Sequence, residues 1–442
     1  MSGIARILLK KGVKVSGSDL KDNRVLEDLR KSGCYIHVGH SASNINGADL
    51  VVYSSAIRED NPEMQEARSR GITVIQRAKM LSELMQDKTV ITVTGAHGKT
   101  TVTSLIAHLL IEAGLSPTVA TGGILRNLDS NAYFGSGEYF VAEADESDGS
   151  FLYYKPDYSV ITNIDYEHLD YYGNFANILD KFRKFLANTK ENGCVLCCGD
   201  DPNLRAILKG YRKKFLLFGF SPEFDIYAEK IEIAGLASEF DVFWKGKFLE
   251  RFHLSLGGRH NISNALAVIA VALELGVGLR LINKALSTYQ GTQRRLQIKL
   301  DHNDILLVDD YGHHPTEIKA TLSAISYLGR RRVIVIFQPH RFTRTKFLLE
   351  DFGRSFNLAD RVYVTDIYPA GEKPIEGIDG ALVAEKIKMN GHKDVQFLPK
   401  GGIIDQVLKE ARAGDLILTL GAGDITRICD ELAEAIKGKN QA

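Results

Sequence analysis

A chain of 442 residues with 55 Lys+Arg against 55 Asp+Glu carries no formal net charge. That balance excludes the basic surplus of a general nucleic-acid binder, but not local sites for small anions. The length predicts about three domains at roughly 150 residues each, no apolar run approaches a membrane span, and five cysteines in so long a chain point to a reducing cytoplasm rather than a disulfide framework.

The first element is unusual for its surroundings. Ile4, Ile7 and Leu8 fall at helical spacing, and Gly12 stops that helix. Arg6, Lys10 and Lys11 break the apolar stretch, so it does not read as a secretory signal. Val13-Lys14-Val15 then predicts a strand ending at Gly17-Ser18-Asp19. A nucleotide-binding domain normally places a strand and a glycine-rich turn before such a helix. Here the helix comes first.

Further along, "DLVVYSS", "TVITVTG", "YFVAEAD", "YSVITNI", "ILLVDDY", "RVIVIFQ", "RVYVTDI" and "DLILTLG" read as strands alternating with helices. This is the pattern of α/β domains with parallel sheets, whose ligand sites lie at the carboxyl ends of the strands. "CVLCC" (Cys194, Cys197, Cys198) reads as a buried strand, because no second cysteine pair follows at zinc spacing. Between about 210 and 258 the alternation and turns predict a small antiparallel insertion. Polar breaks near Gln86-Asp87-Lys88 and in "STYQGTQRRLQ" divide the chain into 1–87, 88–292 and 293–442.

Chemistry concentrates at strand ends. In "TVITVTGAHGKTT" a strand runs into Gly95-Ala96-His97-Gly98-Lys99-Thr100-Thr101 and then an apolar-faced helix. Glycines let backbone N–H groups approach a phosphate at a helix N-terminus, the lysine reaches outer phosphates, and Thr100 can hold magnesium. Two residues separate Gly95 from Gly98, fewer than in the usual P-loop. "VAEADESDGSF" clusters Glu143, Asp145, Glu146 and Asp148, and "VITNIDYEHLD" adds Asn163, Glu167, His168 and Asp170. Each alone reads as a solvated turn or a helix-start residue; three such loops in one sheet point to a magnesium-nucleotide site. "GGRHNISNALA" carries His260, Asn261 and Asn264, more polar groups than capping needs. "GTQRRLQ" (Arg294, Arg295), "VDDYGHHPTE" (Asp309, Asp310, Tyr311, His313, His314) and "QPHRFTRT" (His340, Arg341, Arg344) suggest a second face for an anionic substrate.

In this order, "TGAHGKTT", "EADESD", "TNIDYEHLD", "HNISNA", "RR", "DDYGHHP" and "QPHRFTRT" resemble the Mur ligases of peptidoglycan synthesis over nearly the whole chain. "VSGSD", "VVYSSAI", "EADESD" and "DDYGHHPTE" are most similar to the member that adds L-alanine. The family usually has Thr where this chain has Ala96; the loop presents backbone there, so the change should be mild. The resemblance implies three parts: a Rossmann-like UDP-binding domain, a central P-loop ATPase domain with the small antiparallel insertion, and a C-terminal Rossmann-like α/β domain. It implies an ATP- and Mg2+-dependent joining of L-alanine to the lactyl carboxylate of UDP-N-acetylmuramate through an acyl phosphate, in the cytoplasm, by a monomer or homodimer without nucleic acid or membrane insertion.

By motif position, the resemblance puts Gly95 to Thr101, Asn261, Asn264, Arg295 and Asp310 on ATP, and Thr100, Glu143 and His168 on the metal. Lys99, Glu143, His168, His313 and Arg344 would act in catalysis, with His340, Arg341 and Arg344 lining the amino-acid region. Ser2, Gly3, Asp19, Ser54 and Ser55 would meet the UDP-sugar. The family's first domain opens with a strand and a turn ending in G-M-S-G-I-A, and this chain starts at the Met of that turn. The resemblance therefore implies a Rossmann-like domain truncated at its start, whether by a late start, a fragment or a naturally short protein. Its rivals are the murein tripeptide-recycling ligase and folylpolyglutamate synthase, a non-catalytic Mur-like binding protein, and a dinucleotide-dependent reductase, which the absent glycine fingerprint disfavours.

Overall fold

The eight strands read from "DLVVYSS" to "DLILTLG" all form in the computed structural model, which describes residues 1–329 and 331–438 and leaves out the side chains of 169 and 170. The Asp170 side chain, grouped above with His168, therefore lies outside the described residues. Cα proximity divides the chain into two compact units. The first is Met1–Lys230, Phe240–His253 and Ser263–Gln290; the second is Ile231–Glu239, Leu254–Ile262 and Gly291–Ala442.

The first unit begins with the helix Ser2–Lys10, which Gly12 ends at a φ of 80°. The strand expected at Val13–Val15 starts later: β1 is Ser16–Asp19, paired in parallel with β2 (Tyr35–Val38). Val15 contributes its carbonyl to Tyr35 N–H at the entry to that ladder, and its side chain packs beside Leu26 and Leu29. A second parallel pair joins β3 (Leu50–Tyr53) to β4 (Thr73–Gln76).

A ten-stranded sheet follows. Its strands are β5 (Thr89–Thr94), β6 (Thr118–Leu125), β7 (Ser130–Tyr133), β8 (Tyr139–Glu143), β9 (Tyr158–Ile161), β10 (Cys194–Cys198), β11 (Phe215–Gly219), β12 (Ile226–Ala234), β13 (Ala237–Trp244) and β14 (Lys247–Leu254). The order is β14-β13-β12-β11-β10-β9-β5-β8-β6-β7. The stretch expected as an insertion, β12 to β14, continues this sheet at its edge; β12 and β13 are joined by Gly235-Leu236 alone, a link short enough only for a hairpin. "CVLCC" is β10, buried throughout, and its cysteines are unpaired thiols.

β5 lies between β8 and β9, parallel to both, and the chain reaches those neighbours in opposite directions. Such a reversal leaves a crevice beyond the strand's carboxyl end. The segment 1–87 shares this unit with the P-loop region. Asn131 of β7 donates to the Ser2 hydroxyl at 3.2 Å, and the Ser82 hydroxyl donates to the Tyr153 carbonyl at 3.0 Å in the short helical turn Ser150–Tyr153 after β8, so side chains cross from the early helices to the large sheet and its loops.

The second unit holds a six-stranded sheet of β15 (Gln297–His302), β16 (Ile305–Asp310), β17 (Arg332–Phe337), β18 (Arg361–Val364), β19 (Val395–Phe397) and β20 (Asp415–Leu420), in the order β15-β16-β20-β17-β18-β19. β15 is the antiparallel edge and the other pairings are parallel. Alternate residues feed two cores on opposite faces: Val308, Val335 and Leu418 on one, Leu307, Ile336 and Ile417 on the other. Parallel pairing then puts the carboxyl ends of β16, β17, β18 and β20 on one edge, where the polar motifs begin.

Candidate functional site

The turn after β5 requires its glycines. Gly95 has a φ of 130°, and a Cβ there would lie 2.3 Å from the Thr162 hydroxyl; Gly98 has a φ of 84°, and a Cβ there would lie 2.6 Å from Asn264 Oδ1. Gly98 caps the helix Lys99–Glu112 without a side chain, leaving backbone N–H groups at its start for an anion. Asn163 fastens the loop from β9: its side chain accepts from His97 N–H at 2.8 Å and donates to the His97 carbonyl at 3.0 Å, while its backbone carbonyl accepts from Ala96 N–H at 3.1 Å. The His97 ring meets Asp165 Oδ2 at 2.9 Å. Thr101 is buried in the helix's first turn.

Lys99 and Thr100 face the carboxylates after β8. Lys99 Nζ donates to Glu146 Oε1 at 2.8 Å and to the Gly95 and Ala96 carbonyls at 2.5 and 3.2 Å. Thr100 Oγ1 donates to Glu143 Oε1 at 3.2 Å, and Glu143 Oε2 accepts from Gly122 N–H at 2.9 Å and from the Thr121 hydroxyl at 3.4 Å. A hydroxyl and a fixed carboxylate are hard oxygen donors and fit magnesium. His168, at a φ of 56°, holds its Nε2 3.4 Å from Glu167 and 3.7 Å from Glu146. Burial pushes the Glu146 carboxyl up to about 7, even against the Lys99 ammonium. Burial would lower Lys99, but the Glu146, Asp145 and Glu143 carboxylates outweigh it and hold the ammonium above its ordinary value.

Glu143 also faces an open cleft that Met1, Gly3, Ile4, Arg77, Thr121, Gly122 and Asn131 help to line. The start of the first helix and the Glu143 carboxylate at the end of β8 thus share one cavity. Asp19, Ser54 and Ser55 sit elsewhere, at the carboxyl ends of β1 and β3.

In the second unit, Arg294 and Arg295 differ despite adjacency. Arg294 is a structural clamp: it donates to Asp309 Oδ2 at 3.3 Å and to the Gly421 and Gly423 carbonyls at 2.5 and 3.2 Å. Arg295 donates to Glu317 at 3.2 Å and lies 5.4 Å over the Tyr311 ring. Asp310 is committed to backbone groups, accepting from Leu296 N–H ahead of β15 at 2.8 Å and from Gly312 N–H at 2.7 Å; burial still raises its carboxyl. Asn261 donates to the Gly257 carbonyl at 2.8 Å, and His314 caps the helix Pro315–Ile325 together with Glu317.

His313 Nδ1 lies 3.0 Å from the Tyr311 carbonyl, which can only accept; in the neutral ring the lone pair is therefore on Nε2. Arg344 donates to His340 Nδ1 at 3.0 Å, and the His313 and His340 rings are 5.5 Å apart. Arg341 is turned into a strand-end brace, at a φ of 71° and donating to Glu372 at 2.6 Å. His313, His340 and Arg344 thus form one group, while Arg341 faces a carboxylate that its motif does not contain. The sequence pattern also leaves Glu146, Asp165, Thr121, Gly122 and Glu317 without roles. An acidic residue three after Glu143 was a visible signal for the first; the others act through contacts 21 to 68 residues away.

A glycine loop whose lysine and threonine meet sheet-borne carboxylates, at the reversal point of a parallel sheet, defines a P-loop nucleotide-binding α/β protein. Three family descriptions match successive segments: "Mur ligase family, catalytic domain" over 1–89, "Mur ligase middle domain" over 93–272 and "Mur ligase, glutamate ligase domain" over 294–423. The chain belongs to the Mur ligase family. It is 45% identical to the UDP-N-acetylmuramate–L-alanine ligase of Geotalea daltonii over 438 residues, 99% of this chain and 96% of that one. It is 46% identical to the enzyme of the same name from Desulfosudis oleivorans over 434 residues, 98% and 95% of the two chains. Among solved structures, the UDP-N-acetylmuramate–alanine ligase MurC of Thermotoga maritima superposes with a TM-score of 0.84 at 31% identity, covering 99% of this chain and 97% of that one. A murein peptide ligase from Psychrobacter arcticus superposes with a TM-score of 0.72 at 27% identity, covering 98% and 96%.

Proposed function

We propose that this protein is an ATP-dependent ligase that joins L-alanine to the lactyl carboxylate of UDP-N-acetylmuramate, a step in making the peptidoglycan precursor in the cytoplasm. The observation that carries the reading is the pairing of Thr100 with Glu143, beside Lys99, on a carboxylate that also faces the cleft at the start of the first helix. The names of relatives 45% and 46% identical over nearly the whole chain support the choice of substrates. We keep the division into a UDP-sugar part at 1–87, an ATP part at 88–292 and a ligase part at 293–442 as part of this proposal.

In this reading the loop N–H groups and Lys99 hold the ATP phosphates, with Thr100, Glu143 and His168 available to a magnesium ion. When bound, the ion would neutralise phosphate charge so that an anionic carboxylate can approach. The lactyl carboxylate oxygen attacks the γ-phosphorus and ADP leaves. The amine of L-alanine then attacks the acyl carbon, and inorganic phosphate departs as the amide forms. His313 Nε2, with its lone pair set by the Tyr311 carbonyl, is the residue we assign to take the ammonium proton. Arg344 and His340 are assigned to the alanine carboxylate, and Arg295, Asn261 and Asn264 to the nucleotide.

The test is phosphate release by the purified chain with ATP and magnesium. Release that requires both UDP-N-acetylmuramate and L-alanine, with the amide product found by mass spectrometry, is the expected result. Release with the tripeptide L-Ala-γ-D-Glu-meso-diaminopimelate in place of L-alanine would move the assignment to the recycling ligase. NADH consumption without ATP turnover would remove it.

A further inference from the structure

Glu146 has no task in the proposed reaction, yet it is deeply buried beside the phosphate loop. It is 3% exposed, and its two oxygens are treated differently. Oε1 receives Lys99 Nζ at 2.8 Å, while Oε2 is buried with no hydrogen-bond partner among the described residues. A buried acceptor left without a hydrogen bond forfeits the water it lost, so a carboxylate kept only for structure normally uses both oxygens. Other acids in this unit do: Glu143 accepts from Thr100 on one oxygen and Gly122 on the other, and Glu63 accepts from Asn44 and Ser18.

The backbone of Glu146 cannot carry it away. Its carbonyl accepts from the Tyr172 hydroxyl and from Gly149 N–H. Lys99 is the movable partner, with a point charge on a flexible stem. In the present arrangement its ammonium is held by three oxygens, Glu146 Oε1 and the Gly95 and Ala96 carbonyls, folded back over the loop it should serve.

We propose that Glu146 is a latch for Lys99: it docks the ammonium against the loop until nucleotide phosphates take it over, and so sets how tightly ATP binds. The inference deepens the nucleotide reading above and rests on it. Phosphates must displace Lys99 from a buried carboxylate, so part of their attraction is used to break that pair.

Equilibrium ATP binding, in the absence of the UDP-sugar and with magnesium or with a chelator, tests the latch. Four proteins are compared: wild type, Glu146→Gln, Lys99→Met and the double variant. A fifth, Glu146→Asp, keeps the charge but withdraws it from Lys99. Thermal unfolding checks that each is folded. The latch predicts that Glu146→Gln and Glu146→Asp both tighten ATP binding, by about tenfold for groups coupled this closely. It also predicts that Glu146→Gln changes nothing in the Lys99→Met background. Equal tightening in both backgrounds, with Glu146→Asp like wild type, would show plain repulsion of phosphate and overturn the latch. Weaker binding in Glu146→Gln with magnesium but not without it would make Glu146 an ion ligand, again overturning it. Wild-type protein that binds no ATP would sink the nucleotide reading itself.

Discussion

Two regions of the first unit use the same local grammar with different results. In β1 to β4, each strand is four residues long, sits in a two-stranded parallel sheet, and has no fully buried position. In β5, β8, β9 and β10, every strand has a neighbour on both sides, and nearly all positions are buried. Val51-Val52 and Val90-Ile91 are similar as sequence, yet only the second pair is buried. Pairing on both edges, not strand propensity, decides whether an apolar strand becomes core. The phosphate loop is mounted on the doubly paired region, where the sheet can hold a strained turn; Asp19, Ser54 and Ser55, assigned to the UDP-sugar, stand at the ends of β1 and β3 in the other.

The comparison can be pressed hardest at Lys99. Lys99→Ala should lower phosphate release about a thousandfold or more, the scale of losing a main charge partner of the transferring group. Wild-type-like release would detach the central region from the chemistry. Next, Ile91→Ala in β5, at 0% exposure, should cost about 2–5 kcal/mol in denaturant unfolding, the range for emptying a close-packed core. Val52→Ala in β3, half-buried, should cost about 1 kcal/mol or less. Equal costs would erase the distinction between the two regions.

Gly98→Ala lies between these. Its φ of 84° and the Asn264 oxygen 2.6 Å from the new Cβ should cost about 1–2 kcal/mol of backbone strain and weaken ATP binding, read by calorimetry. The smallest effect is a pH slope. Burial first, then Arg295, lowers His260 from 6.5 to about 4. The unfolded chain therefore takes up a proton before the folded one does, and stability falls as pH drops from about 6.5 toward 4. His260→Gln should remove that part of the slope and leave the behaviour above pH 7 parallel to wild type in urea titrations at stepped pH.

Much of this is legible in the sequence. Gly95 and Gly98 announced a turn that only glycine can make, and Lys99-Thr100 at a helix start announced a phosphate site, because such loops depend on neighbours in sequence. Arg294-Arg295 and His313-His314 were legible as polar and no further. One arginine clamps the Gly421–Gly423 loop and the other pairs with Glu317; one histidine directs a lone pair and the other caps a helix. Adjacent residues of one type point in different directions along a chain; the arginines' partners lie 15 to 129 residues away, while the histidines turn to groups two or three residues off.

By itself, then, the sequence determined what is local: the alternation of strands and helices, the residues at strand ends, and the loop that glycine geometry demands. Tertiary structure decided which strands are buried, that β12 to β14 extend the large sheet, and that Glu146 rather than Glu143 holds Lys99. Those outcomes depend on which distant segments meet, and the loss of water at those meetings sets the charge and the partners of each side chain.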